Sequence, residues 1–309
     1  MSVESELKLK IFVSIILTII SEIVIISLIV SILRLPLFLI GVFLGLLWLI
    51  QWLISPYLVA RDAYEVTPID PYYSWVYSIV KNVSRKSNIK TPRIFIVNEP
   101  FPNAFAYGNY VSGKRIGITK PLLSILTPEE LEAVIGHEIG HIKHADVEIG
   151  MAIGLVPSII GYLGMLLINT GLIFFLFIED ISDIIFAIIL ISLGSLMLAI
   201  TFFIQIFVLW FNRLRESYAD MYSVKILGKR AYYLATALAK IEIYMKNIRI
   251  DPFTGIIVTA TPVKVTSNDP NLLLEEWLHK KISPFSDIFD THPHPAKRVK
   301  MIFELLSLY

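Results

Sequence analysis

The chain has no cysteine, which excludes disulfide scaffolds, thiolate metal sites, iron–sulfur clusters and cysteine nucleophiles together. Any metal ion must be held by His, Asp or Glu. Charge is scarce as well: 17% of residues are charged, against about 25% in ordinary soluble chains. The two signs nearly cancel, with 27 Lys and Arg against 26 Asp and Glu for a net charge of +1. Neither a basic surface for nucleic acid nor an acidic solvating chain is therefore indicated. Internal repeats and low-complexity tracts are absent too. What the chain has in excess is apolar length, since 55% hydrophobic residues and a mean hydropathy of +0.69 are too high for a wholly soluble fold.

Four stretches meet the requirement of about 20 mainly apolar residues for a bilayer crossing: 11–33, 36–53, 151–178 and 184–211. The first is too long for the apolar core of a signal peptide and no small-residue cleavage site follows it, so it is expected to stay in the protein. Only Arg34, Leu35 and Pro36 separate the first pair and only 179–183 the second, which predicts two hairpins. Lys8, Lys10, Arg61, Lys143, Arg213 and Arg215 flank the spans on one side, and the 179–183 turn has no cation. With Arg34 as a minor exception, this places both termini and the polar mass in the cytoplasm of a multi-pass cell-membrane protein. The expected organisation is a transmembrane hairpin at 1–56, a cytoplasmic part at 57–149, a second hairpin at 150–211 and a second cytoplasmic part at 212–309. Glu22, inside the first span, is costly there and reads as a bundle-facing carboxyl that is protonated or hydrogen-bonded.

In the first polar part, Arg93 to Val97, 104–110 and 115–119 are short β-branched or aromatic runs separated by Pro102, Gly108, Asn109 and Gly113, which predicts a small sheet or hairpin. Thr127, Pro128 and Glu130 then open a helix, as N-cap, first helical residue and partner in a capping box. That helix runs into His137-Glu138-Ile139-Gly140-His141. His137 and His141 lie one turn apart on the same face, so both imidazoles can reach one metal ion, and Glu138 beside them can take a proton from water activated there. Two exposed helix histidines are the plain alternative.

A catalytic zinc ion takes three protein ligands and keeps one position open. His144 continues the stripe but lies about 10.5 Å along the axis from His137, too far to share an ion, and Asp146 and Glu148 suffer from the same distance. A ligand from another helix is needed. Glu216 and Asp220, spaced i and i+4 just beyond the fourth span, share a helix face. One carboxylate can bind the ion while the other accepts a hydrogen bond from a ligand histidine; a solvated helix face is the alternative. Both segments leave the bilayer on the same side, within roughly 8 to 15 Å of it, whereas Asp180 and Asp183 lie a full span of about 30 Å away.

Taken together, these residues resemble the HtpX family of membrane-bound zinc metalloproteases, relatives of the CAAX prenyl endopeptidases. Besides the HEIGH segment, Pro102-Asn103-Ala104-Phe105-Ala106-Tyr107-Gly108 looks like the family's PNAFATG with Tyr107 in place of Thr. The stretch 215–220 resembles the segment carrying the third ligand, and Thr291-His292-Pro293 with Arg298 resembles a THP signature followed by arginine. The resemblance implies one Zn2+ per chain held by His137, His141 and Glu216, with Asp220 supporting a ligand and Glu138 as base. It implies that His292 and Arg298 lie near the cleft, where we expect either to stabilise an oxyanion, and that Asn103, Ala104, Phe105 and Ala106 form an edge strand for substrate. An exposed edge suits a protease because it binds extended backbone through main-chain hydrogen bonds with little demand on sequence.

The expected fold is mainly α and integral to the membrane, with four transmembrane helices in two hairpins and a cytoplasmic α+β zincin-like protease domain carrying a small β-sheet. Residues 251–290 read as an irregular region around a short helix at 272–280. The expected partners are the lipid bilayer and protein or peptide substrates, misfolded or damaged membrane proteins above all, with no nucleic acid. A prenyl-peptide endopeptidase is the alternative within the enzyme class; that family encloses a large chamber with more spans than four. A zinc-containing membrane sensor or scaffold is the alternative outside it, although such a site would not require Glu138. A transporter is disfavoured because Glu22 and Pro157 are isolated within the spans.

Overall fold

A computed structural model describes residues 3–33, 36–59, 63–246, 265–283 and 286–308. The turn at Arg34 and Leu35, the flanking Arg61 and the 251–264 part of the irregular region lie outside the described residues. In chain order the elements are α1 (Val3–Leu33), α2 (Leu37–Leu58), β1 (Tyr64–Val66), α3 (Ser74–Lys86), β2 (Arg93–Val97), β3 (Ala104–Asn109), β4 (Gly113–Thr119), α4 (Lys120–Ile125), α5 (Pro128–Lys143), α6 (Asp146–Phe174), α7 (Ile181–Leu227), α8 (Tyr232–Met245), α9 (Pro270–His279) and α10 (Pro295–Leu306). Among the described residues four helices are long and apolar enough to cross a membrane. The fourth does not stop at residue 211 as its hydropathy suggests. It continues unbroken to Leu227, so the apolar span and the polar segment carrying Glu216 and Asp220 belong to one helix of 47 residues.

The chain divides into two compact units. One comprises 12–49 and 150–211. Here α6 and α7 touch through small residues: a Cβ on Gly164 would lie 2.9 Å from the Gly194 carbonyl oxygen, one on Gly171 would lie 2.9 Å from that of Ala187, and Gly161 faces Thr201. These contacts run in opposite order along the two helices. Close backbone approach of this kind is how helices pack where surrounding lipid removes the hydrophobic drive between them. Ile160, Ile204 and Val208 form the unit's core, with Ile25 of α1 against them. On α1, Ser14, Thr18 and Glu22 are buried at successive turns, and the Thr18 hydroxyl donates to the Ser14 carbonyl at 2.8 Å.

The other unit comprises 1–11, 50–149 and 212–309. Its sheet has the order β1-β2-β4-β3. β2 and β4 run parallel, and β1 and β3 pair antiparallel at the outside. β1 was not anticipated, because three residues are too few to show a period. α3 buries Val76, Val80 and Val83 at helical spacing and packs on α5, whose Leu131, Ile135 and Ile139 are fully buried. Each such side chain contributes about 1.5–3 kcal/mol relative to exposure. α5 starts as its sequence predicts, the Glu130 amide donating to Thr127 Oγ1 at 3.3 Å and the Thr127 amide to Glu130 Oε2 at 2.8 Å.

Candidate active site

α5 is buried along nearly its whole length, and its glycines decide what it touches. A Cβ on Gly136 would lie 2.8 Å from Ser223 Oγ, and one on Gly140 would lie 3.1 Å from the Ala219 Cα. With no side chain at either position, α5 lies directly against the far end of α7. The Ser223 hydroxyl locks the pair by donating to the Ala133 carbonyl at 2.9 Å. This contact brings His137 and His141 to Glu216 and Asp220.

His137 Nε2 and His141 Nε2 are 3.1 Å apart. His137 Nε2 is 3.4 Å from Glu216 Oε2, and His141 Nε2 is 3.4 Å from Glu216 Oε1. One donor atom from each residue lies within 4.8 Å of the others. Ligands at about 2.0–2.1 Å in tetrahedral array are separated by about 3.3 Å, so these three fit one ion of zinc's size without rearrangement. The outer ring nitrogens are held as well, His137 Nδ1 at 2.8 Å from Asp220 Oδ1 and His141 Nδ1 at 2.7 Å from Asp146 Oδ2. A carboxylate at each Nδ1 fixes the ring orientation and leaves Nε2 for the metal.

Asp220 is fully buried and gripped from the far side by Arg298, whose Nε and Nη2 donate to its two oxygens at 2.8 and 2.7 Å. Burial disfavours the guanidinium charge, but the Asp220 carboxylate outweighs that and raises the Arg298 pKa. Burial likewise penalises a charged His137, yet Asp220, with Glu216 on the other side, lifts it to about 9. Without metal this ring is therefore cationic at neutral pH. Glu138, adjacent on α5 and also buried, has its pKa raised by burial, an effect opposed by the two histidines and by a hydrogen bond from the Ala106 amide.

A cavity of about 110 Å³ opens on these groups, lined by Ala104, Phe105, Ala106, Glu138, His141, Asp146, Val147, Arg215, Glu216 and His292. β3 forms one wall and has a single strand partner, β4, among the described residues. The Thr119 amide donates to the Asn103 carbonyl at 2.9 Å. By the alternation of an antiparallel ladder, Phe105 and Tyr107 then bond across to β4, and the backbone of Ala104 and Ala106 turns away from it. The bond from Ala106 to Glu138 agrees with that parity.

Among the residues singled out from the sequence, His137, Glu138, His141, Glu216 and Asp220 converge, and His292 Nδ1 lies 3.3 Å from Glu216 Oε2. Ala104, Phe105 and Ala106 reach the cavity. Asn103 does not line it; buried at the start of β3, it anchors the strand through its amide bond to Thr119 Oγ1 at 2.8 Å. Arg298 is also absent from the lining and sits behind His137 with Nη2 3.5 Å from Nδ1. That place suits holding a ligand in position and not meeting an oxyanion. Tyr107, the departure from the family segment, is buried away from the cavity with its ring 5.5 Å from Phe105 and 6.1 Å from Phe95.

Asp146 was set aside on helical distance because α5 was read as continuing through it. The helix ends at Lys143. His144 caps it, Ala145 takes φ +56°, and this reversal, uncommon for a residue with a Cβ, returns Asp146 to His141. His144 itself stacks edge-on against Tyr218 with ring centroids 4.3 Å apart. Arg215 has no site role in the sequence reading beyond flanking the span and heading the 215–220 stretch. Its reach to the Asp146 carbonyl at 3.4 Å brings it to the cavity, which no spacing rule signals.

Comparison with known proteins shows the family. The model of the family described as Peptidase family M48 matches residues 73–305. Protease HtpX homolog 1 of Saccharolobus solfataricus is 55% identical over 306 residues, covering 99% of this chain and 98% of its own. Protease HtpX homolog 1 of Sulfurisphaera tokodaii is 57% identical over 305 residues, with 99% and 98% covered. Among solved structures, the crystal structure of S. mikatae Ste24p shares the fold with a TM-score of 0.53 at 18% identity; the match covers 91% of this chain and 61% of that one.

Proposed function

The chain belongs to peptidase family M48 and is a membrane metalloprotease, and on that premise we propose that it is a zinc endopeptidase whose ion is held by His137, His141 and Glu216. The observation that carries the reading is the triangle of donor atoms with edges of 3.1, 3.4 and 3.4 Å, open on one side to a cavity walled by a sheet-edge strand. Zinc would supply Lewis-acid polarisation of the scissile carbonyl and lower the pKa of water to about 7.

Glu138 takes the proton of the attacking water and returns it to the leaving amine; its raised pKa suits the exchange. β3 lies along the cavity as the edge strand beside which an extended substrate aligns. Asp220 and Asp146 hold the two histidines, Arg298 holds Asp220, and His292 is the side chain placed to donate to the developing oxyanion. Charge around the spans supports two hairpins with both termini, the protease parts at 57–149 and 212–309 and the cleft on the cytoplasmic side of the cell membrane. Misfolded or damaged membrane proteins are the natural substrates of a cleft so placed.

The test is proteolysis of an unfolded protein in detergent by wild type and Glu138→Gln, with metal analysis of both. The variant should keep its metal and lose at least about 10²-fold in rate; cleavage at the wild-type rate removes Glu138 as base. The resemblance of the sequence to relatives of the CAAX prenyl endopeptidases offers a prenyl-peptide endopeptidase as a second reading, against which stand the four candidate spans among the described residues. A prenylated peptide assayed beside the unfolded protein separates the two.

A further inference from the structure

The β3–β4 hairpin, whose first strand walls the cavity, ends in an unusual tip. Turns favour Gly, Asn, Asp and Ser, yet Tyr110 and Val111 stand there 77% and 70% exposed. The tip is rigid. Asn109 Oδ1 accepts from the amides of Val111 and Ser112 at 3.0 and 2.7 Å, and Gly113 supplies the positive φ of +79° that closes the turn. Exposed apolar groups on a fixed scaffold mark an interaction surface.

Three tethers show where this surface lies, all within the unit that contains the sheet. Asn109 Nδ2 donates to the Trp52 carbonyl at 2.5 Å. Arg115 Nη1 donates to the Pro56 carbonyl at 3.0 Å. Lys114 pairs with Glu148, in the first turn of α6. The order of the first two tethers gives a direction. Arg115 pairs with Tyr107, and Asn109 with Gly113, so moving two residues towards the tip, about 7 Å, moves the contact on α2 from Pro56 back to Trp52, about 6 Å. The hairpin thus runs alongside the last turns of α2, from the level of Pro56 back past Trp52. Tyr110 and Val111 reach at least one residue further, level with residues around Ile50. The exposed α2 side chains at that end are Ile50, Leu53, Ile54, Tyr57 and Leu58. Lys114 Nζ lies 4.8 Å from the Tyr110 ring centroid, an arrangement that keeps a cation at the level of lipid headgroups while the apolar parts go deeper.

We propose that the tip of the β3–β4 hairpin inserts into the headgroup region of the bilayer and so fixes the substrate-binding edge at the membrane surface. Ala106 lies four residues from Tyr110, about 13 Å along the strand. An extended segment leaving the bilayer beside the tip would need only about four residues to reach the cavity, which selects chain emerging from lipid over chain arriving from solution. The delivery role rests on the endopeptidase reading; the lipid contact does not.

Since the chain has no cysteine, Val111→Cys carries a single environment-sensitive fluorophore without further changes. The control is Asn98→Cys, exposed beyond the opposite end of the sheet, where Val97 pairs with Thr119. Both are measured in nanodiscs holding one copy each. The label at 111 should emit as in an apolar medium and lose about half its intensity when nitroxide headgroup lipids are included, because a group about 5–10 Å deep meets them; the label at 98 should do neither. Emission from water at both positions overturns the proposal. So does apolar emission at 111 that nitroxide lipid leaves unquenched, since protein and not lipid would then cover the tip. None of these readings requires catalysis, so they stand apart from any failure of the endopeptidase assignment. Replacing Val111 by Ser should then slow cleavage of a bilayer-embedded single-span substrate by about tenfold, the factor for losing one buried apolar side chain, and leave cleavage of a soluble unfolded peptide unchanged. Equal rates on the embedded substrate would overturn the delivery role.

Discussion

Asp220→Ala should do two separable things, because Asp220 faces two partners. Its oxygens take 2.7 and 2.8 Å hydrogen bonds from Arg298 and lie 2.8 Å from His137 Nδ1. Deleting the carboxylate takes the two-pronged partner from a guanidinium that is 2% exposed and whose Nη1 lies 3.9 Å from Glu216 Oε2. Breaking a buried pair by removing one partner costs about 3–5 kcal/mol, two to four orders of magnitude in the folded-to-unfolded ratio, mostly because the surviving charge stays buried. Adding Arg298→Met should therefore restore most of that stability, since an apolar residue of similar volume in place of a buried pair is often neutral. It should not restore metal binding, because His137 still lacks its partner; affinity should stay about 10- to 100-fold below wild type in both variants. Unfolding of the metal-free proteins in detergent gives the first quantity and chelator competition the second. If the double variant is no more stable than Asp220→Ala alone, the loss of Asp220 from the buried guanidinium is not the cause and the account of Arg298 is wrong.

Asp146→Asn should lower metal affinity by about 10- to 100-fold without unfolding the protein; chelator competition checks this, and wild-type affinity would remove Asp146 from its role beside His141. Gly140→Ala places a methyl 3.1 Å from the Ala219 Cα, so α5 must move from α7. The overpacking, about 1–3 kcal/mol, should exceed the gain of about 1 kcal/mol in helix propensity and leave a net loss of about 1 kcal/mol in thermal unfolding. With His137 raised to about 9 in the metal-free protein, an incoming ion must displace a proton. Apparent metal affinity should then rise about tenfold per pH unit across neutrality, and chelator titrations flat between pH 6 and 8 would contradict it. For the metal-free fold the sign is opposite: a raised histidine pKa stabilises fully below about 6.5, and this contribution is lost as pH rises through about 9.

Local regularities of the chain determined a good deal alone. Apolar run length identified four membrane helices, because a bilayer demands length and hydropathy and little else. Helical spacing put His137 and His141 on one face, and the capping box set the start of their helix, since both follow from 3.6 residues per turn. Strands β2, β3 and β4 were legible from β-branched and aromatic runs between turn residues. Spacing left the candidate third ligand open between Glu216 and Asp220, where the resemblance implied Glu216; the packing of α5 on α7 through Gly136 and Gly140 faces Glu216 to both Nε2 atoms and Asp220 to His137 Nδ1 and Arg298. The same packing put Arg298 behind the site. Helical distance wrongly sets Asp146 far from the site, because its position depends on one left-handed residue, Ala145, that no propensity flags. The course of the β3–β4 hairpin along α2 was equally hidden, since it rests on hydrogen bonds from Asn109 and Arg115 to main-chain carbonyls more than fifty residues away. Carbonyls are present at every residue and identical in chemistry, so which of them a side chain finds is a property of the folded chain.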